Sequence, residues 1–301
     1  MTNRRHLWIA SAILLTTFAR GAAAQAGSLV VTQSQALPAF TPTFSTNLPD
    51  SGRGPKTFFT RHDLVPIGIA AAVTGGLMVF DERIGKWTQT ASVQGSDTRH
   101  NAVNSLTKIN ETPLAIASIL VYGVGRVSHS ATTADVGAHW AEGLLLTDAI
   151  SELIRGPVGR ARPRVSQDDP FKFEFGAGFT KFENRSFPSL HSAVGLATAA
   201  SLLEEIRVHN PSATLYAAPF LYGFALIPGL SRMYLNQHWA SDVFAGAFVG
   251  QFLGNRVVHY AHTHKRNKLD RALLAMSAQP DGFGGTLVMM NVQQLFGGNG
   301  P

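Results

Sequence analysis

Three polar clusters interrupt an otherwise apolar chain, and each carries residue types that can handle an anion. The first runs from Arg155 through Gly156-Pro157-Val158-Gly159-Arg160-Ala161 to Arg162-Pro163. Arginine forks grip phosphate oxygens two at a time, so Arg155 and Arg162, with Arg160 as a third candidate, can converge on one anion. The glycines and prolines fix turns, so these cations need not share a helix face. On its own, such a run reads equally as a solvated basic loop. The second cluster is Phe187-Pro188-Ser189-Leu190-His191-Ser192. It has the composition of a helix start, where free backbone N–H groups and the helix dipole favour an anion. Ser189 adds a hydroxyl and His191 falls in the first turn; the plain alternative is a serine cap with an incidental histidine. The third cluster contains Ser231-Arg232, then His238-Trp239, then Ser241-Asp242. His238 and Asp242 are four residues apart, so a helix would put them on one face. A carboxylate bonded to one ring nitrogen fixes the tautomer and frees the other nitrogen as nucleophile or base. A structural His–Asp pair at the end of a core helix fits the same spacing.

These residues need a frame. The chain has 301 residues, 45% hydrophobic and 15% charged, with no cysteine. Soluble domains average about 25% charged residues. Disorder is excluded by the apolar content, and a disulfide framework, a cysteine zinc site and a cysteine nucleophile by the cysteine count. Apolar segments fall at 64–80, 102–109, 113–127, 136–154, 190–206, 213–230 and 240–260. Alanine and leucine are frequent and period-2 alternation is absent, so the pattern predicts helices. Pro113 after Glu111-Thr112 marks a helix start, and Gly156-Pro157 is expected to close the segment that ends near Arg155. Gly246 and Gly250 continue from Asp242 at steps of four and would admit a neighbouring helix closely. Residues 157–187 form a long loop, and long loops in compact domains are often functional. Its Phe171, Phe173, Phe175, Phe179 and Phe182 either pack the loop down, the preferred reading, or line the mouth of a pocket that takes an apolar chain.

The termini differ from this body. Residues 1–26 resemble a secretory leader, with Arg4 and Arg5 before the apolar stretch Leu7 to Phe18 and small residues at Ala22-Ala23-Ala24. The expected location is outside the cytoplasm, in the periplasm; an uncleaved anchor is the alternative. Loss of this piece removes Arg4, Arg5 and Arg20 and no acid, halving the formal charge of +6. The basic run His259 to Lys268 has little aromatic interleaving, so no nucleic-acid partner is expected. His259, His262 and His264 are a poor metal spacing, read instead as a basic helix end. Residues 27–60 read as an extended arm, 61–270 as the helical domain, and 271–301 as a tail with a turn and a short strand at 286–292. Several helices are too short to span a bilayer, which favours a soluble or peripheral bundle, while 64–80 and 212–231 leave membrane association open.

In order and spacing, the three clusters together resemble the type 2 phosphatidic acid phosphatase (PAP2) superfamily, which includes bacterial class A acid phosphatases and vanadium haloperoxidases. Its signature is Lys-x6-Arg-Pro, Pro-Ser-Gly-His and Ser-Arg-x5-His-x3-Asp. Here the third part is complete from Ser231 to Asp242; Arg155 replaces the lysine, and Leu190 replaces the glycine of the second. The resemblance covers roughly residues 140–258 and implies an all-α helical bundle. It further implies a metal-independent phosphatase without cofactor, acting on phosphomonoesters or on lipid phosphates or pyrophosphates. His238 would form a phosphohistidine, Asp242 would orient its ring, and His191 would serve as acid and then base. Arg155, Arg162, Ser189 and Arg232 would hold the phosphoryl oxygens. Arg155 keeps the charge but presents a wider planar donor, and Leu190 puts a side chain where the family has bare backbone and could crowd the anion. A weakly catalytic phosphate-binding scaffold and a vanadium-dependent haloperoxidase are the alternative functions. The oligomeric state is left open.

Overall fold

The structure, a computed structural model, describes residues 58–264, 276–280 and 286–290. The leader, all but the end of the arm, and much of the tail lie outside the described residues.

All seven apolar segments are helical. α1 is Leu64–Met78, α2 Asp81–Thr88, α3 Asp97–Leu106, α4 Glu111–Val127, α5 Ala131–Val158, α6 Leu190–His209, α7 Thr214–Tyr234 and α8 Ala240–Thr263. Asn110 caps α4 by accepting from the Thr112 N–H, which leaves Pro113 near the helix start, where its missing donor costs nothing. In the tail, β1 (Met276–Pro280) and β2 (Thr286–Met290) pair antiparallel, Met276 opposite Met290 and Pro280 opposite Thr286. The expected short strand is therefore one arm of a hairpin.

One expected boundary is corrected. Gly156-Pro157 does not end α5; the helix continues to Val158, and Gly159, in the left-handed region at φ +59°, terminates it. Proline removes one N–H from the ladder without forbidding the last turn. Gly159 is fixed twice over, because a Cβ there would lie 1.8 Å from the Glu174 carbonyl oxygen. The following loop folds back through two single 3-10 turns, Ala177–Phe179 and Phe182–Asn184. Phe179 lies over the end of α5, where a Cβ on Gly156 would fall 2.2 Å from its ring.

α6 is the central helix, packed by α5, α7 and α8. Its contact with α8 is backbone-close. Added Cβ atoms on Gly246, Gly250 and Gly254 would lie 2.2, 1.9 and 2.6 Å from the carbonyl oxygens of Ser189, Ala193 and Ala197. Trp140, Leu144, Leu190, Val194 and Ala197 form a core cluster between α5 and α6. By contrast, α1, α4 and α7 leave large apolar side chains exposed, including Leu64, Ile69, Ile119, Leu120, Leu215 and Phe220. Residues Pro211–Tyr234 are long and apolar enough to cross a membrane, and only 17% of their most apolar window is buried. The core helix of a soluble protein has most of its surface buried; this one does not.

Candidate active site

The three clusters meet where the C-terminal end of α5, the N-terminus of α6 and the junction of α7 with α8 come together. His238 lies just before α8, behind its N-cap residue Trp239, and is 2% exposed. Its Nδ1 is 2.7 Å from the carbonyl oxygen of Ser186. A carbonyl can only accept, so Nδ1 carries the proton and Nε2 is left with its lone pair. Nε2 is buried and has no hydrogen-bond partner.

Asp242 sits otherwise than the sequence suggests. Its carboxylate is 3.8 Å from His238 Nδ1, too far for a hydrogen bond. It accepts instead from Arg160 Nη1 at 2.6 Å, from Ser186 Oγ at 2.5 Å and from the Trp239 N–H at 2.9 Å. Ser186 thus joins the pair, with its hydroxyl on the carboxylate and its carbonyl on the imidazole.

Arg160, a candidate third cation for the anion, is committed elsewhere. It is wholly buried between two carboxylates, Asp242 and, at 2.8 Å, Asp81 at the start of α2. It also donates to Ser241 Oγ and to the Pro170 carbonyl. Asp81 in turn accepts from the Ser241 N–H at 2.9 Å and from its hydroxyl.

The remaining cations are less neutralised. Arg162 donates to Gln237 Oε1 at 3.0 Å and lies over the Phe182 ring, 4.3 Å from its centroid. Arg232 reaches the same Gln237 oxygen at 3.3 Å. Neither has a carboxylate within ion-pair distance among the described residues. Arg155 pairs with Glu152 at 2.8 Å, and Glu152 also holds Arg185. Nε of Arg155 and Nε of Arg232 are buried without a partner. Burial, with the guanidiniums of Arg232, Arg155 and Arg164, pushes Arg162 down to about 9. Such crowding of like charge favours an anion among them.

Both histidines feel these cations. Burial lowers His238 to about 3 and overrides the opposing pull of Asp242, with Arg162 and Arg155 adding to the lowering. Burial lowers His191, half-buried in the first turn of α6, to about 4, with Arg232, Arg155 and Arg162 adding to it. Ser189 is the N-cap residue of α6, but its hydroxyl does not cap the helix. Its N–H goes to the Asp242 carbonyl, and Ser192 Oγ lies 3.1 Å from its oxygen. Leu190, expected to crowd the anion, is 7% exposed and turned into the core cluster.

The structure therefore draws Arg155, Arg162, Arg232, His191 and His238 into one electrostatic group, with Ser189 at its edge and Asp242 behind His238. Ser186, Gln237, Asp81 and Glu152 are supporting residues that sequence reasoning missed. Only Gln237, adjacent to His238, carried a signal that could have found it.

Residues 137–266, under half of the chain, match the family model of the PAP2 superfamily domain. Such a domain supports a phosphatase. A solved structure of a transmembrane PAP2 type phosphatidylglycerolphosphate phosphatase from Bacillus subtilis is similar at 22% identity, over 68% of this chain and 96% of that one, with a TM-score of 0.48. No curated protein matches the chain.

Proposed function

We propose that this protein is a phosphatase that hydrolyses phosphate monoesters of lipids through a phosphohistidine on His238, within a phosphatase domain spanning 61–270. The observation that carries the reading is the buried, unpartnered Nε2 of His238, whose opposite nitrogen is fixed by a carbonyl, facing a cluster of under-neutralised arginines. In the first step Nε2 attacks phosphorus and the P–O bond to the leaving group breaks. The leaving oxygen takes a proton from His191. In the second step His191 takes a proton from water, whose oxygen attacks phosphorus, and the P–N bond breaks to release phosphate. Arg155, Arg162 and Arg232 stabilise the phosphoryl oxygens, with the Ser189 hydroxyl as a further donor. These guanidiniums supply the positive charge that a metal would otherwise bring.

His191 must be protonated to act as the acid, yet burial and the arginines hold it neutral. A bound phosphate dianion offsets those charges and restores the proton, so the acid is armed by substrate. The lipid reading rests on the exposed apolar faces of α1, α4 and α7 and on the loop aromatics. Phe179 and Phe182 pack partly as expected, but both stay exposed, and Phe175 is 89% exposed. A membrane surface would cover these groups and present the substrate's chain to them. The leader-like N-terminus supports export.

The test is His238→Ala. Turnover of a lipid phosphate in mixed micelles should vanish, together with alkali-quenched, acid-labile labelling of the protein by a radioactive phosphate substrate. Retained turnover in that variant would overturn the assignment. Equal rates on short soluble phosphomonoesters and on lipid phosphates would remove the lipid preference alone.

A further inference from the structure

Away from the arginines, a second cluster of titratable side chains converges on one carboxylate. Glu205 is fifteen residues beyond Leu190 on α6, about 22 Å along the helix axis. Its side chain is 2% exposed. Three imidazoles address it from three helices. His139 of α5 places Nδ1 2.5 Å from Oε1. His262 of α8 places Nε2 3.2 and 3.1 Å from the two carboxylate oxygens. His209, one turn on in α6, places Nε2 3.3 Å from Oε2. The donor atoms of His139, Glu205 and His262 all lie within 4.8 Å of one another.

We propose that Glu205, His139 and His262, with His209 as fourth donor, bind one divalent transition-metal ion, zinc foremost, which ties α5, α6 and α8 together. A buried carboxylate normally meets a lysine or arginine. Here Arg207 goes to Glu204, and among the described residues every ion-pair partner of Glu205 is a histidine. A divalent cation held among these rings would meet the charge of Glu205 directly. The donor chemistry also fits. Nitrogen and carboxylate oxygen bind zinc at about 2.0–2.1 Å, so tetrahedral neighbours stand about 3.3 Å apart. The His262–Glu205 and His209–Glu205 separations already have that length. His139 must withdraw by about 1 Å on the same geometry, and His209, outside the set of donors within 4.8 Å of one another, must swing inward from the surface. His262 was one of three histidines with unsuitable spacing along the sequence. Its partners come from α5 and α6, and His259 faces a different groove, with Asp63 and Arg256.

The experiment uses the purified full chain, free of any affinity tag and stripped with a chelator. Zinc is titrated calorimetrically, and cobalt(II) serves as a spectroscopic substitute. We expect one equivalent per chain, intense visible cobalt bands of a four-coordinate site displaced by zinc, and a higher thermal midpoint with zinc. His262→Gln and Glu205→Gln should each weaken zinc at least 100-fold; His259→Gln should not change it. His209→Gln alters a side chain near the surface and tests the site even where Glu205→Gln does not fold; it should weaken zinc about 10-fold. Absence of saturable binding to the native chain, or equal affinity in the His262 and His209 variants, would leave only a hydrogen-bonded cluster and overturn the proposal. Neither result bears on His238.

Discussion

Replacing Asp242 with asparagine separates two roles that a carboxylate near a histidine can play. If it held the proton on the ring, its loss would release the wrong tautomer, an effect worth roughly 10,000-fold in rate where a carboxylate does that work. Here the Ser186 carbonyl holds Nδ1–H, and Asp242 stands behind it as a charge. A unit charge 3.8 Å away is worth roughly 4 kcal/mol at an effective dielectric of about 20. The ring bears about half of its eventual positive charge at the transition state, so the barrier should rise by ~2 kcal/mol, about 30-fold. Asparagine can still accept the Trp239 N–H and the Ser186 hydroxyl, but it leaves Arg160 with Asp81 as its one carboxylate. Breaking half of a buried ion triad should cost about 3 kcal/mol of stability. The assay is single-turnover kinetics with trapping of the phosphohistidine, at a temperature where circular dichroism shows the variant folded. A loss near 10,000-fold in folded protein would refute the carbonyl's role; an unchanged rate would refute the charge's.

Gln237→Ala should raise KM about 10-fold with a smaller change in kcat, because one oxygen aligns both Arg162 and Arg232; steady-state kinetics decides. Gly250→Ala sets a Cβ 1.9 Å from the Ala193 carbonyl oxygen and should destabilise by about 2–3 kcal/mol, since close-packed helices cannot simply separate; a denaturant titration measures it. His191 and His238 resist protonation when folded, at about 4 and about 3. The unfolded chain therefore binds those protons first. Stability from these rings is full above pH 6.5 and is lost as pH falls from there, toward 4 for His191 and toward 3 for His238. Calorimetry across that window should show the midpoint falling, and less steeply with orthovanadate bound, because the anion lifts His191.

Much of this was legible in the sequence. Seven apolar segments without alternation became helices, and three motifs spread over nearly ninety residues converged on one group. Arg160 was misread because a charged run looks the same whether its members face an anion or lie locked in the interior. Ser186 escaped because its main-chain carbonyl does the work on His238, and no side-chain pattern announces a carbonyl. Asp81 escaped because its partners are about eighty and one hundred and sixty residues away. The outward apolar faces were hidden by uniformity: α1 and α7 are hydrophobic nearly all round, so period alone does not say which side meets protein.

The bridge from Asp81 through Arg160 to Asp242 limits how this protein can be recombined. Asp81 lies outside the segment that matches the family, whereas Arg160, Ser241 and Asp242 lie inside it. Transplanting that segment onto a foreign N-terminal half would import a guanidinium stripped of one counter-charge. It would also import a helix start stripped of the carboxylate that anchors it. The functional unit is therefore larger than the matched segment: it reaches back to α2, and an exchange of the N-terminal helices must keep an acid at that point or replace Arg160 in the same step.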